Sequence, residues 1–478
     1  MKKIRDIFLL LLILFSFLSF KIKFEPIDIT NPEDISNNKI SKKQSVPISA
    51  WIIIGGDRYD HNKVERVKKT CNRTYEILRK RGYLSDQIYY LAPNKTPSQP
   101  YVNATSNFTN VQSAFLDWAS TKINEISGLG IYLHDHGNVD LNGVGKLCLP
   151  GNPDLFDWHL DGWLNVLEAS TGCNRFLIIV EACHSGAFID PVSKENRIVI
   201  TSANITGKAA GTPACYPLFS SKFWGDILAG KTVGKAFEGG VFNIYEFGYE
   251  KLQVPWIDDD HNEIGHNITP PYGALPTGGD GFDALLTKIG LDYGAYQIPV
   301  FLGAPLNLWG NKSLRRFDLW AQIQNSTPLE HVYMRVIPPG WQPPPIPDHP
   351  EGTLGFYIND GTFHVEMDDT NGDGNYTITW TIPPREFPDW PEEGKYKVNL
   401  IATDNEGGVA DTVTTSVTFN ENASAPPDTT PPTVGIKNPK PNSHVSGLIN
   451  ITVKGDDDQA LANISIYIDG ELVKTQRS

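Results

Sequence analysis

Two short stretches carry residues able to do covalent chemistry. Residues 130–137 read GIYLHDHG and close on His136 and Gly137. Residues 176–186 read FLIIVEACHSG and hold Glu181 and Cys183. Each is an apolar run ending in polar groups, the pattern of a buried strand that delivers side chains at its carboxyl end. Set side by side and parallel, two such strands bring His136 and Cys183 to one sheet edge. A thiol beside an imidazole becomes a thiolate nucleophile, and the imidazolium then protonates a leaving amine. Gly137 has no Cβ, so its N–H, with that of Cys183, can approach and hold an oxyanion. His134 and His184 read as structural or supporting groups, and Asp135 as a residue that orients backbone. The bland alternatives are a buried or disulfide-bonded Cys183 and a strand-end His136 with ordinary hydrogen bonds.

Two acidic loops have oxygen donors at alternate positions, as a calcium loop needs. One is Asp258, Asp260 and Asn262, with Glu263 where the loop wants glycine. The other is Asp369, Asn371 and Asp373, which keeps Gly374 but has Trp380 where a bidentate carboxylate belongs. A plain polar turn is the competing reading for each, and calcium is the one ion considered. The chemistry at His136 and Cys183 requires no cofactor.

The elements that must position His136 and Cys183 alternate between strand and helix. Ala50–Gly55 (AWIIIG), residues 87–91, Gly130–Leu133, Phe176–Val180 and Ile198–Thr201 read as apolar strands. Residues 64–81, 111–126 and 158–167 have helical spacing, with Thr109 as a candidate N-cap of the second. Fully apolar strands alternating with helices imply a parallel sheet covered on both faces. From about residue 296 the period becomes two: 317–323, 331–337, 376–382, 396–402 and 412–419 alternate, and turn clusters separate them. That is an all-β sandwich pattern. Residues 425–432 (APPDTTPP) form a Pro-rich linker, and 449–453 and 464–468 begin a second β module. Too few residues remain there for a whole sandwich, so the module is partial or the given chain stops within it.

The strand-His-Gly element at Leu133–Gly137, the stretch EACHSG at Glu181–Gly186 and the opening strand AWIIIGG resemble the legumain-like cysteine peptidases, family C13 of the caspase and gingipain group. His136 and Cys183 stand 47 residues apart, close to the spacing of the caspase signature. The resemblance covers roughly residues 49–270. It implies an α/β caspase-like parallel sheet flanked by helices, followed by C-terminal all-β Ig-like sandwich modules. It also implies His136 and Cys183 as the catalytic dyad, Gly137 in the oxyanion hole and Glu181 lining the S1 pocket. Legumains pair that glutamate with an arginine early in the first helix, which suits an asparagine side chain. Arg58 and Arg66 stand near that place and neither aligns with it. Without the arginine, an acidic pocket favours Lys or Arg at P1 over Asn. The expected organisation is a signal peptide or anchor at 1–24, a linker at 25–48 and a peptidase domain at 49–290. An Ig-like sandwich follows at 291–424, then the linker at 425–432 and a partial Ig-like module at 433–478.

Composition bounds the partners. The chain has 478 residues, 41 Lys+Arg against 55 Asp+Glu, and a net charge of −14. That balance excludes a nucleic-acid binder, which needs clustered basic groups. Lys2, Lys3 and Arg5 precede an apolar run at 7–20. As a helix it spans about 21 Å, short of the roughly 30 Å hydrocarbon core. A secretory signal is one reading, and an uncleaved membrane tether is the other. Twelve N-x-[ST] sequons occur, where composition alone yields roughly four; they point to a secreted or cell-surface glycoprotein. Of the five cysteines, Cys71, Cys148, Cys173 and Cys215 are expected to form two disulfides and leave Cys183 as the thiol. The leading expectation is an exported cysteine endopeptidase acting on protein or peptide, with transamidation as a variant and Ig-like modules for binding or spacing. The rival, from another class, is an inactive peptidase-like adhesion or binding protein at the cell surface.

Overall fold

The computed structural model describes residues 46–56, 61–96, 99–211, 216–290, 296–311, 315–344, 361–382, 393–420, 433–438, 451–456, 463–468 and 471–477. The apolar run at 7–20, Arg58, Cys215 and the Pro-rich linker lie outside them. No helix among the described residues is long and apolar enough to cross a membrane.

The first part of the chain alternates strands and helices. In order these are β1 (Ile48–Gly55), α1 (His61–Lys80), β2 (Ile88–Ala92), β3 (Ala104–Thr105), α2 (Phe108–Ser113) and β4 (Gly128–His134). Then come β5 (Gly137–Val139), β6 (Gly145–Leu147), β7 (Leu155–Phe156), α3 (Asp157–Thr171), β8 (Phe176–Glu181), α4 (Ile189–Val192) and β9 (Arg197–Thr201). Last are α5 (Leu218–Leu228), α6 (Val233–Glu246), β10 (Trp256–Asp258) and α7 (Phe282–Leu286). Among the described residues, seven strands form one sheet in the order β10-β9-β8-β4-β1-β2-β3. All neighbours are parallel except β10, which runs antiparallel to β9. That edge strand is not foreseen by the parallel pattern.

Side-chain alternation splits the sheet between two cores. Trp51 and Ile53 of β1, Tyr132 of β4 and Leu177 and Ile179 of β8 pack with Cys71 of α1, Phe219 and Trp224 of α5 and Phe237 of α6. Ile52 and Ile54, Ile131 and Leu133, and Ile178 and Val180 face the other way, toward Val111 of α2 and Leu160 and Leu164 of α3. Burial on both faces explains why these strands are apolar throughout rather than alternating.

One helix differs from expectation. The pattern at 111–126 predicts a single helix capped by Thr109. Instead Asn107 is the cap, its side chain accepting from the Asn110 N–H at 2.9 Å. The helix widens into a π turn at Ala114–Trp118 and closes as a 3-10 turn at Ala119–Thr121. Asn124 and Ser127 then pair backbone to backbone and turn the chain into β4. A side chain able to accept two residues earlier than Thr109 displaces the cap, and the Asn124 turn shortens the end.

The second part is a β-sandwich. Three strands, in the order β11 (Val300–Gly303), β13 (Arg316–Gln324) and β16 (Asn375–Thr381), form one layer among the described residues. The other layer has β12 (Leu308–Gly310), β18 (Val413–Phe419), β17 (Gly394–Asp404), β14 (Leu329–Ile337) and β15 (Phe363–Glu366). Leu319, Met334, Trp380, Tyr396 and Leu400 fill the space between the layers. Beyond it, β19 (Thr433–Asn438) pairs with β20 (Thr452–Asp456), and β21 (Asn463–Ile468) with β22 (Glu471–Arg477).

Candidate active site

β4 and β8 are adjacent and parallel, with His134 opposite Glu181. His136 and Cys183 therefore each lie two residues past the last paired position, at the same sheet edge. Their separation in sequence equals the register offset of the two strands, 47. Beyond β4 the chain turns into the β5–β6 hairpin, in which Gly137 pairs with Leu147. The His136 carbonyl accepts from Cys148 N at 3.1 Å. A Cβ placed on Gly137 would lie 2.0 Å from the Cys183 carbonyl oxygen and 2.8 Å from the Ala182 methyl. Only glycine lets the two motifs touch backbone to backbone.

Cys183 sits in the turn after β8. Its Sγ accepts the N–H of Ala209 at 3.3 Å. The turn is fastened to the loop that follows β9. His184 takes a left-handed φ of 57°, its N–H donates to Gly207 O at 2.8 Å, and its Nδ1 meets Ile205 O at 2.7 Å. Ser185 Oγ donates to Ala203 O and accepts from Ala203 N, each at 3.1 Å. Strained backbone held by several bonds is a common feature of functional turns. His136 and Cys183 are both buried.

His134 and Asp135 close the carboxyl end of β4. His134 meets Glu181 O at 3.2 Å through Nδ1, and burial lowers its pKa to about 4, so it is neutral. Asp135 accepts the His136 N–H at 2.6 Å and packs against Gly56, where a Cβ would collide with its carboxylate.

Glu181 has no solvent contact. Its Oε2 accepts both the N–H of Ser220 at 3.1 Å and the Ser220 hydroxyl at 2.6 Å. Ser220 lies in the first turn of α5, so the carboxylate also faces the positive end of that helix. The Tyr132 hydroxyl donates to Ser220 Oγ at 2.9 Å. Burial outweighs these bonds and raises the Glu181 pKa to about 7. Among the described residues, a serine and not an arginine meets Glu181. Arg66 is on α1 and half-buried; Arg58 is not among the described residues. Sequence reasoning missed both Ser220 and Ala209. The first sits on a helix whose apolar spacing was there to read; the second has no local signal.

Of the four cysteines expected to pair, Cys215 lies outside the described residues. Among the described residues, none of Cys71, Cys148, Cys173 and Cys183 is joined to another by a disulfide. Cys71 and Cys173 lie in different cores, on opposite faces of the sheet. Burial holds the Cys71 thiol well above its usual range and pushes Cys173 up to about 11.

The two acidic loops also part company. Asp369 closes on itself, accepting the N–H groups of Gly372, Asp373 and Gly374, while Asn371 and Asp373 bond within the turn. Asp258 and Asp260 instead converge with Asp280, which the sequence reading did not include. Asn262 bonds back to Asp260 and to Ile264 N.

Fold and site together define a caspase-like α/β sheet with flanking helices, followed by an Ig-like or fibronectin-like all-β region. Residues 119–215, which carry both His136 and Cys183, match the Peptidase C13 family, and residues 432–478 match the bacterial Ig domain. Among solved structures, caspase-1 from Spodoptera frugiperda is similar at 9% identity and a TM-score of 0.32, over 45% of this chain and 88% of that one. Fibronectin(III)-like modules of Clostridium thermocellum CbhA are similar at 18% identity and a TM-score of 0.15, over 36% of this chain and 70% of that one. No curated protein matches the sequence.

Proposed function

We propose that this chain is an exported or cell-surface cysteine endopeptidase that cleaves peptide bonds with His136 and Cys183. The observation that carries the proposal is the close approach of Gly137 to Cys183 at the ends of β4 and β8, with the Ala209 N–H on the sulfur. The thiolate attacks the scissile carbonyl carbon, and the oxyanion takes the N–H groups of Gly137 and Cys183. The His136 imidazolium gives its proton to the departing amine, leaving an acyl-enzyme. Water then releases the acid; an amine in its place makes the same site a transamidase. Glu181 selects the P1 side chain, with Lys or Arg favoured over Asn because, among the described residues, a serine and not an arginine meets it. The basic and apolar start of the chain and its sequons support export. The Ig-like modules bind or space the enzyme at a surface.

Cys183→Ala and His136→Ala are each expected to lower kcat/KM by about four orders of magnitude or more, with circular dichroism unchanged. Iodoacetamide is expected to label Cys183 first. Full activity in Cys183→Ala would end the proposal. The burial of both residues favours a second reading, a closed peptidase-like binding protein. Under that reading no peptide in a library varied at P1 is cleaved, and Cys183 stays unlabelled.

A further inference from the structure

Asp258 ends the edge strand β10, Asp260 follows in the loop, and Asp280 arrives from a segment twenty residues later. One carboxylate oxygen of each lies within 4.8 Å of the others. Asp258 and Asp280 are fully buried, whereas Asp260 is exposed and opens the cluster to solvent. The neighbouring Asp259 is occupied elsewhere: its oxygens accept the N–H groups of Gly281 and Ala284 at 2.7 and 2.8 Å. Asp280 Oδ1 accepts the N–H groups of Asp259 and Asp260 at 2.7 and 3.1 Å, which ties the two segments together. His266 pairs with the other Asp280 oxygen through Nδ1.

A separate observation points to a missing partner. Asp258 Oδ2 is buried and has no hydrogen-bond partner, although Oδ1 accepts from His261 N at 2.9 Å. The buried Ser193 hydroxyl lies beside this carboxylate. Among the described residues no Lys or Arg pairs with any of the three carboxylates; the ring that meets them is that of His266, at Asp280. Buried carboxylates without a counter-charge are costly. Oxygen donors gathered from two segments, one side open to water, suit a hard cation that keeps part of its hydration.

We propose that Asp258, Asp260 and Asp280 bind one divalent cation of the calcium class, pinning the loop after β10 to the segment that leads into α7. β10 runs antiparallel to β9, so this loop leaves the sheet away from the edge that holds Cys183. The site is therefore a structural staple, independent of the proposed peptidase chemistry. The test uses the full chain, stripped by chelator and titrated calorimetrically with calcium chloride or magnesium chloride near neutral pH. One calcium per chain is expected, bound more tightly than magnesium, with a melting temperature that rises with calcium concentration. Asp260→Asn, at the exposed ligand, is expected to weaken binding at least tenfold, and Asp258→Asn to do the same if it folds. Asp369→Asn, in the self-closed loop, is expected to leave binding unchanged. Absence of calcium binding to the wild type, full binding by Asp260→Asn, loss in Asp369→Asn, or a preference for magnesium would each overturn the assignment.

Discussion

A carboxylate with no solvent contact, held by one hydroxyl and one backbone N–H, is costly to ionise. Glu181 is such a group, with a folded pKa of about 7 against 4.5 when unperturbed. Because the folded value is the higher, its stabilising contribution is complete below about pH 4.5 and disappears as the pH climbs through 7. The span of that contribution is about 3.5 kcal/mol at most, at roughly 1.4 kcal/mol per pH unit. Glu181→Gln keeps an acceptor for Ser220 and does not titrate. Denaturant melts at pH 5 and pH 8 are expected to show a loss in the wild type that the variant lacks. Equal losses in both would mean that Glu181 does not change its charge between pH 5 and pH 8. Under the proposed specificity, turnover of a P1 Lys peptide rises between pH 6 and 8 as the carboxylate charges, and Glu181→Gln flattens that limb. Ser220→Ala removes one of the two donors and is expected to cost about 1–2 kcal/mol.

Among the elements, the β5–β6 hairpin is the one that joins the two motifs. Its first residue, Gly137, lies against Cys183, and its second strand holds the His136 carbonyl through Cys148. Gly137→Ala puts a methyl into the Cys183 carbonyl and the Ala182 side chain, so backbone must move on one side or the other. A cost of about 1–3 kcal/mol is expected from the overlap. A far larger effect, about a hundredfold, is expected in kcat/KM, because the displaced strand end carries His136. Gly143, at the hairpin tip, faces open space with a positive φ of 83°. Gly143→Ala is strained by about 1 kcal/mol yet leaves His136 in place. A comparison of the two variants separates folding from catalysis: equal activity losses would remove the hairpin from the mechanism.

At the scale of the molecule, the β-sandwich is not simply a spacer. Arg335 of β14 is fully buried; its Nη1 donates to Phe247 O at 2.7 Å and its guanidinium lies 5.1 Å from the Phe247 and Trp341 rings. Glu330 bridges to Arg73 of α1 at 3.1 Å, and Lys397 to Glu246 of α6 at 3.1 Å. Val409 presses on Gly225 of α5, where a Cβ would come within 3.0 Å of its N, and its carbonyl accepts from Lys222 at 3.2 Å. α5 is the helix whose first turn holds Glu181, so the sandwich braces the wall of the site. A chain ending at residue 290 is expected to melt at a lower temperature than one ending at residue 420 and to lose activity with it. Arg335→Ala, in the full chain, is expected to cost about 2–4 kcal/mol. Truncation at 290 with an unchanged melting temperature would show that the two parts fold independently.

The sequence by itself determined what nearest neighbours along the chain can encode. Apolar runs marked β1, β4, β8 and β9 because a doubly covered strand has no polar face to show, and period two marked the sandwich. The equal spacing of two motifs at two strand ends was enough to place His136 and Cys183 at one edge, since parallel neighbours keep a constant offset. The tertiary structure alone decided the rest. Ser220 on Glu181, Ala209 on Cys183 and Asp280 beside Asp258 are meetings between segments brought together by packing, and nothing local in either partner announces the other. The cysteines follow the same logic. Their number suggested pairing, but Cys71 and Cys173 lie on opposite faces of one sheet, and thiols that far apart cannot bond.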